Sequence, residues 1–232
     1  MSAVDVRSFT VGPVAENSYI LTAAAPAGAV QAATPALIVD PGDEPERLLA
    51  ALDSLGVTLE AILITHCHFD HIGAVAPVAK ATGAPVYCPG IEQPVLADVM
   101  RWVPPGFGPF ESYEADHTLA GGERLSIAGL DLDVLFTPGH SPGHLTYAIS
   151  AGAAPVLLSG DVLFQGSVGR VDLPGGDWPT LERSIGGLLD AFPEDTVVYP
   201  GHMGVTSLGR ERLTNPFLRE LALSKASARG AG

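Results

Sequence analysis

The chain has 232 residues, 47% of them apolar, with 27 glycines and 20 prolines, which indicates a loop-rich globular protein with a sizeable core. Its net charge of −14 argues against nucleic acid and anionic membranes as partners, although solubility is the simpler explanation of the charge. We find no signal peptide in the first residues and no apolar run of about eighteen residues that could span a membrane. Cys67 and Cys88 form no obvious disulfide framework, so a cytoplasmic location is expected. A monomer or small homo-oligomer is also expected.

Hydrophobic periodicity predicts the elements in chain order. Strands are predicted at 4–11, 17–22, 36–40, 61–65, 85–88, 123–127, 130–136, 145–150, 155–159 and 196–199. Helices are predicted at 44–55, 72–82, 90–100, 178–191 and 207–225, with Pro77 interrupting the second and Pro216 the last. Loops are predicted at 23–34 and, as a possible pocket lining, at 103–113. No linker is evident, so we expect one domain over 1–232 with a C-terminal helix at about 207–225.

A dense run of metal-ligand side chains follows the predicted strand at 61–65. It contains His66, His68, Asp70 and His71 within six residues. Buried neutral imidazoles need a partner for each ring nitrogen, which core packing does not supply. A divalent metal would supply that partner, so this loop is interpreted as half of a metal site.

Three further candidates, His140, Asp161 and His202, each lie just beyond an apolar run that predicts a strand. If these three strands and the strand before His66 lie side by side, the candidate ligands converge on one edge of a sheet, where α/β folds commonly bind ligands. Five histidines and two aspartates suit two divalent metals. Each metal would take three protein ligands of its own, with one carboxylate and a hydroxide between them.

Several motifs extend beyond the ligands themselves. They are THCHFDH at 65–71, TPGHSPGH at 137–144, SGD at 159–161, GSVGRVDLPGG at 166–176, YPGH at 199–202 and ERLTNPF at 211–217. Together they resemble the metallo-β-lactamase superfamily of metallohydrolases, and within it the short, single-domain members of the glyoxalase II-like branch. The resemblance implies an α/β (α+β) fold, a four-layer αββα sandwich of two mixed β-sheets flanked by helices, with the site at its edge.

The resemblance also implies how the ligands are shared between two metal ions. It places His66, His68 and His140 on one ion and Asp70, His71 and His202 on the other, with Asp161 bridging both. Asp70 and Asp161 are then the catalytic residues, acting with a metal-bridging hydroxide. Zinc is the favoured metal, and iron or manganese would also suit histidine and carboxylate ligands.

The activity implied by the resemblance is hydrolysis of a small-molecule acyl-thiol by the metal-bound hydroxide. The tail offers the basic residues Arg219, Lys225 and Arg229, so glutathione, another thiol carrier or a small thioester are equally consistent. The alternative is an oxidoreductase similar to the persulfide dioxygenases, which hold one iron at the positions of His66, His140 and Asp161. A non-enzymatic metalloprotein is disfavoured because no ligand is missing, and a secreted β-lactamase because no signal peptide is found.

Other residues near the motifs have competing structural roles. His144 is expected to orient the ligand loop rather than bind metal, and His117 to be an ordinary polar residue in a turn. Cys67 is not counted as a ligand. Arg170 and Asp172 are expected to form a buried pair rather than a weak surface salt bridge. Aromatic residues that could floor an acyl pocket, or simply pack in the core, are Trp102, Phe107, Phe110 and Tyr113.

Overall fold

The computed structural model describes residues 4–24, 33–150 and 155–219, so most of the predicted loop at 23–34 lies outside the described residues. The strands are β1 (Val4–Val11), β2 (Glu16–Ala23), β3 (Thr34–Val39), β4 (Val57–Leu63), β5 (Val86–Pro89), β6 (His117–Leu119), β7 (Arg124–Ile127), β8 (Leu130–Phe136), β9 (Leu145–Ile149), β10 (Val156–Gly160), β11 (Leu163–Phe164), β12 (Ser167–Val168), β13 (Val197–Pro200) and β14 (Thr206–Ser207). The α-helices are α1 (Pro45–Leu55), α2 (Phe69–Ile72), α3 (Val75–Thr82), α4 (Gln93–Ala97), α5 (Trp178–Ala191) and α6 (Leu208–Thr214).

These strands form two six-stranded mixed sheets. Sheet one has the order β1-β2-β3-β4-β5-β6, antiparallel at the β1 side and parallel from β3 onward. Sheet two has the order β14-β13-β10-β9-β8-β7, in which β10 and β13 are parallel. Because β8 and β10 both run antiparallel to β9, the strands β8, β10 and β13 end at the same edge of sheet two.

Alternation along the strands explains why two sheets and two helical layers form. In β2, Leu21 faces sheet two while Ile20 faces the helices, because successive side chains point to opposite faces. The apolar core between the sheets includes the fully buried Tyr147. Helices α1 and α3 cover the other face of sheet one, and α5 and α6 cover the other face of sheet two. The predicted four-layer αββα sandwich is therefore confirmed.

Most predicted elements are found within one or two residues, but the region around the ligand loop differs. The strand predicted at 61–65 is β4, which ends at Leu63 and leaves Thr65 in the loop. The predicted interruption of a helix by Pro77 is wrong. Pro77 lies in the first turn of α3, where its missing N–H costs nothing. The helical segment is instead interrupted between α2 and α3, at residues 73–74. The chain passes close to Gly42 there, since a Cβ on Gly73 would lie 2.4 Å from the Gly42 carbonyl oxygen.

Two further predicted elements differ from the observed ones, and the predicted break at Pro216 is confirmed. The helix predicted at 90–100 is the short α4 followed by a 3-10 turn at Val99–Arg101. His117 is not in a turn but opens the edge strand β6, where its ring lies 4.5 Å from that of Tyr87. The helix predicted from 207 breaks after α6, as Pro216 indicated, and its end beyond 219 lies outside the described residues. Within the described ranges, every helix is too short or too polar to cross a membrane.

Candidate metal centre

The seven predicted ligands lie together at one end of the sandwich, but not at the edge of one sheet. The loop 65–71 follows β4 of sheet one, whereas His140, Asp161 and His202 follow β8, β10 and β13 of sheet two. The condition that all four strands lie side by side in one sheet is therefore not met, and the candidate ligands converge because the ends of two sheets meet. The two sheets meet at this end through backbone hydrogen bonds such as Leu145 N to Thr65 O, 2.8 Å.

His66, His68 and His140 form the first cluster. The Nε2 atom of His66 lies 3.1 Å from Nδ1 of His68 and 3.2 Å from Nε2 of His140, and the remaining pair is 2.8 Å apart. Nitrogens bound tetrahedrally at about 2.0–2.1 Å from one zinc ion stand about 3.3 Å apart. The three imidazoles are therefore close to the spacing that one metal requires.

Asp70, His71 and His202 form the second cluster, whose ligand atoms all lie within 4.8 Å of one another. Within it, His202 Nε2 lies 3.3 Å from Asp70 Oδ2. Asp161 stands between the clusters, with Oδ1 3.4 Å from His71 Nε2 and Oδ2 3.4 Å from His140 Nε2. A carboxylate in this position can contribute one oxygen to each side.

In three of the imidazoles, the hydrogen bond made by Nδ1 shows that Nε2 is available to bind a metal. Nδ1 of His140 donates to the Arg170 carbonyl oxygen at 2.7 Å, and Nδ1 of His202 lies 3.3 Å from the Ala15 carbonyl oxygen. Nδ1 of His71 likewise faces a carboxylate oxygen at 3.0 Å. Each Nε2 therefore presents a lone pair to the centre of the site, which is how metal-binding histidines are oriented.

Among the residues that the structure describes, two buried atoms at the centre find no hydrogen-bond partner, namely His71 Nε2 and Asp161 Oδ1. Buried polar atoms are nearly always satisfied, so an orphaned nitrogen facing an orphaned carboxylate oxygen calls for a specific partner. A divalent cation would satisfy both. The residues present fit a metal, and the histidine and aspartate cluster in this fold suggests a dinuclear metal site.

The electrostatics of the two clusters differ. Burial, with repulsion from neighbouring imidazoles, lowers the pKa of His66 well below its usual value and that of His68 to about 4. Burial also acts to lower the pKa of His71, but the carboxylates of Asp161 and Asp70 raise it well above its usual value. For Asp161, burial is outweighed by the surrounding imidazoles, His71 foremost, so its pKa is lowered. The carboxylates that raise the pKa of His71 would equally favour a bound cation at the centre of the site.

Asp40, which the sequence analysis treated only as the end of a strand, links both clusters. Its carboxylate accepts from the backbone N–H and the hydroxyl of Thr65, at 2.7 and 2.6 Å, and faces His71 Nδ1. Thr65 Oγ1 in turn lies 3.0 Å from Nδ1 of His66. Behind His71 lies the fully buried Glu16, where burial raises the carboxyl pKa well above its usual value. An aspartate at the end of a strand beside the ligand strand is the signal that could have identified Asp40.

The predictions for residues next to the proposed ligands are partly confirmed and partly wrong. His144 accepts a hydrogen bond from the backbone N–H of Asp161 at 3.0 Å, as expected of a residue that orients the ligand loop. Cys67 points into the core, where its sulfur lies 3.5 Å from that of Cys88. The predicted burial of the Arg170–Asp172 pair is wrong, because both side chains are more than 60% exposed.

The predicted pocket-lining loop borders a cavity of about 410 Å³. Phe107 and Phe110 line it, and their rings lie 4.7 and 6.1 Å from that of Phe69 in the ligand loop. Tyr113 packs against the core instead, and Trp102 is half exposed outside the cavity lining. The cavity therefore adjoins the helix that carries Asp70 and His71.

Comparison with known proteins places these features in a family context. A family model described as the metallo-beta-lactamase superfamily matches residues 13–202. A probable metallo-hydrolase, YqgX of Bacillus subtilis (strain 168), is 40% identical over 94% of this chain and 99% of its own length. The hydroxyacylglutathione hydrolase GloC of Haemophilus influenzae is 34% identical over 79% of this chain and 87% of its own.

Solved structures give the same picture. BLEG-1, described as a B3 metallo-beta-lactamase, is 39% identical with a TM-score of 0.83, covering 92% of this chain and 99% of its own. TTHA1623, solved in a di-iron-bound form, is 40% identical with a TM-score of 0.69, covering 92% and 100%. ETHE1 from Myxococcus xanthus is 25% identical with a TM-score of 0.73, covering 93% and 85%.

Proposed function

The chain belongs to the metallo-beta-lactamase superfamily, whose members are mostly metal-dependent hydrolases, and from that membership we propose that it hydrolyses a thioester. The bond cleaved is the acyl–sulfur bond of a small acyl-thiol, and water supplies the oxygen of the acid product. The similarity to a hydroxyacylglutathione hydrolase over most of the chain supports this substrate class.

One observation carries the proposal. Histidine ring nitrogens and carboxylate oxygens converge at one end of the sandwich, in the arrangement that metal ligands require. The proposed ligands of one metal are His66, His68 and His140, and those of the other are Asp70, His71 and His202. Asp161 is proposed to bridge them. Two divalent metals bound there would lower the pKa of a water towards neutrality and polarise the acyl carbonyl.

The chain's own residues have distinct tasks in this reaction. Asp70 and Asp161 are the proposed catalytic residues, because their Oδ2 atoms both face His202 Nε2, at 3.3 and 3.6 Å, on the accessible side of the site. These oxygens can accept a hydrogen bond from the attacking water and so orient it. The cavity beside Phe107 and Phe110 has a size typical of small-molecule pockets and is proposed to take the acyl group.

Zinc is the metal we favour, and the di-iron form of the similar TTHA1623 keeps iron in consideration. A cytoplasmic location, a monomer or small homo-oligomer, and the absence of nucleic-acid and membrane partners remain parts of the proposal. The acidic composition supports the last of these.

The test combines metal analysis with an assay for released thiol. The substrates are a hydroxyacyl-glutathione and the same hydroxyacyl group on a small uncharged thiol. We expect thiol release from protein that holds two metals per chain, and loss of release after chelation. Protein with two metals and no thiol release from either substrate would contradict the proposal.

The second candidate is a mononuclear iron oxidoreductase similar to the persulfide dioxygenases. His66, His140 and Asp161 make a two-histidine, one-carboxylate set, with His140 Nε2 3.2 Å from His66 Nε2 and 3.4 Å from Asp161 Oδ2. Such a set suits non-haem iron, and the likeness to the ETHE1 structure supports keeping this candidate. One iron per chain with oxygen uptake on a persulfide, and no thioester turnover, would replace the first proposal with this one.

A further inference from the structure

A buried glutamate outside every sequence motif joins the two loops that carry the first cluster. Glu92 is only 5% exposed and lies immediately before α4. Its Oε2 accepts from the backbone N–H of Cys67 at 2.6 Å. Its Oε1 accepts from the hydroxyl of Ser141 at 2.5 Å and from the backbone N–H of Gly143 at 2.8 Å. These partners are 25, 49 and 51 residues away along the chain.

Each of these partners is close in sequence to a proposed ligand. Cys67 lies between His66 and His68, and Ser141 directly follows His140. One carboxylate therefore holds the loop from sheet one against the loop from sheet two, at the place where their imidazole nitrogens must meet. The residue at 143 must be small here, because a Cβ on Gly143 would lie 2.8 Å from Cγ of the glutamate.

The position of Glu92 at the start of a helix does not explain its burial. A side chain at the N-cap normally accepts from the backbone of its own helix, yet that of Glu92 makes no such bond. Its three hydrogen bonds within the described part of the chain all go to the two ligand loops. A buried carboxylate is retained only where it is well hydrogen-bonded, and this one is satisfied entirely by the loops it joins.

We infer that Glu92 is a positioning residue for the first metal cluster, setting the spacing of the His66, His68 and His140 nitrogens by clamping their loops together. The inference rests on the ligand roles proposed above. Residues that orient metal ligands typically change metal affinity by about 10- to 100-fold when they are replaced. The effect should be greatest at the first cluster, because His71 and His202 contact the Asp40 carboxylate and the Ala15 carbonyl oxygen instead.

The chain offers a matched control in Glu211, a second buried glutamate that also accepts three hydrogen bonds. Its donors are Gly166 N, Thr206 Oγ1 and Asn215 Nδ2, none of which adjoins a proposed ligand in sequence. Replacing either glutamate by glutamine keeps the size of the side chain but turns one acceptor into a donor. Both variants should lower Tm, so stability alone does not distinguish them.

The experiment compares wild type, Glu92→Gln and Glu211→Gln, each loaded with cobalt(II). Metal content after dialysis, chelator competition and the visible ligand-field spectrum are measured. We expect Glu92→Gln to bind one of its two cobalt ions about 10- to 100-fold more weakly with a changed spectrum, while Glu211→Gln keeps both affinities and the spectrum. Ser141→Ala, which removes a single donor, should shift the same ion by less, and it carries the test if Glu92→Gln does not fold.

Three outcomes would overturn the inference. Wild-type affinities and spectrum in Glu92→Gln, with two ions bound by wild type, would refute the role of Glu92 and leave the ligand roles standing. An equal loss of metal in Glu211→Gln would show a general effect of destabilisation. A wild-type chain that binds no metal would refute the ligand roles and this inference together.

Discussion

The two clusters of the candidate metal centre differ in residue type and in burial. The first consists of three imidazoles, of which His66 and His140 are almost fully buried. The second contains a carboxylate and is more open, with Asp70 and His202 side chains 15% and 21% exposed. The buried cluster is held by contacts between loops, whereas the open one borders the solvent. We therefore interpret the first cluster as the fixed part of the site and the second as the side from which substrate arrives.

The largest effect should come from removing the residue that both clusters share. Asp161→Ala deletes a carboxylate that lies 3.4 Å from both His71 Nε2 and His140 Nε2. We expect loss of both metals and of activity, by more than the roughly 10- to 100-fold typical of residues that only orient a ligand. Metal analysis and the thiol-release assay measure this. A variant that is fully metallated and active would refute the bridging role.

The next largest effects should separate the clusters. His140→Ala removes a ligand from the first cluster only, and His202→Ala from the second only, so each variant should retain one metal of two. His140→Ala should also lower Tm more than His202→Ala does, because it removes a buried side chain rather than a partly exposed one. Metal analysis and thermal unfolding measure both effects. His117→Ala, in the distant edge strand β6, is the control and should keep two metals. Loss of both metals in either ligand variant would show that the clusters do not bind independently.

A smaller effect is expected at Asp40, whose carboxylate faces His71 directly and reaches His66 only through Thr65. Asp40→Asn replaces an acceptor oxygen with a donor. We expect metal affinity to fall about 10- to 100-fold at the second cluster and by less at the first. Chelator competition on the two sites measures the difference. The control is Asp131→Asn, whose side chain lies on the exposed face of β8. An equal loss at both clusters would contradict the direct and indirect contacts described.

The smallest effect is expected at Arg170. His140 donates to its backbone carbonyl oxygen, which any residue provides, while the side chain pairs with Asp172 in solvent. Exposed ion pairs contribute little to stability. Arg170→Ala should therefore leave metal content, activity and Tm nearly unchanged. A clear loss of metal would show that the ion pair shapes the first cluster after all.

Local sequence was sufficient to predict the elements that depend on short-range patterns. The helix at 178–191 and the strand at 4–11 were predicted with the bounds observed, because their periodicity is uninterrupted. The short strand opened by His117 was missed, because three residues carry no periodicity of their own. Pro77 was misinterpreted, since the sequence does not show on which turn of a helix a proline will fall.

The sequence by itself determined the set of candidate ligands and their place after strand ends, because both are properties of residue type and local spacing. Only the tertiary structure decided that the candidate ligands come from two facing sheets rather than one. It also decided that Arg170 and Asp172 are exposed, and that Asp40 and Glu92 support the clusters. These features depend on contacts between residues distant in the chain, and nothing in the local pattern of apolar and polar residues specifies such contacts.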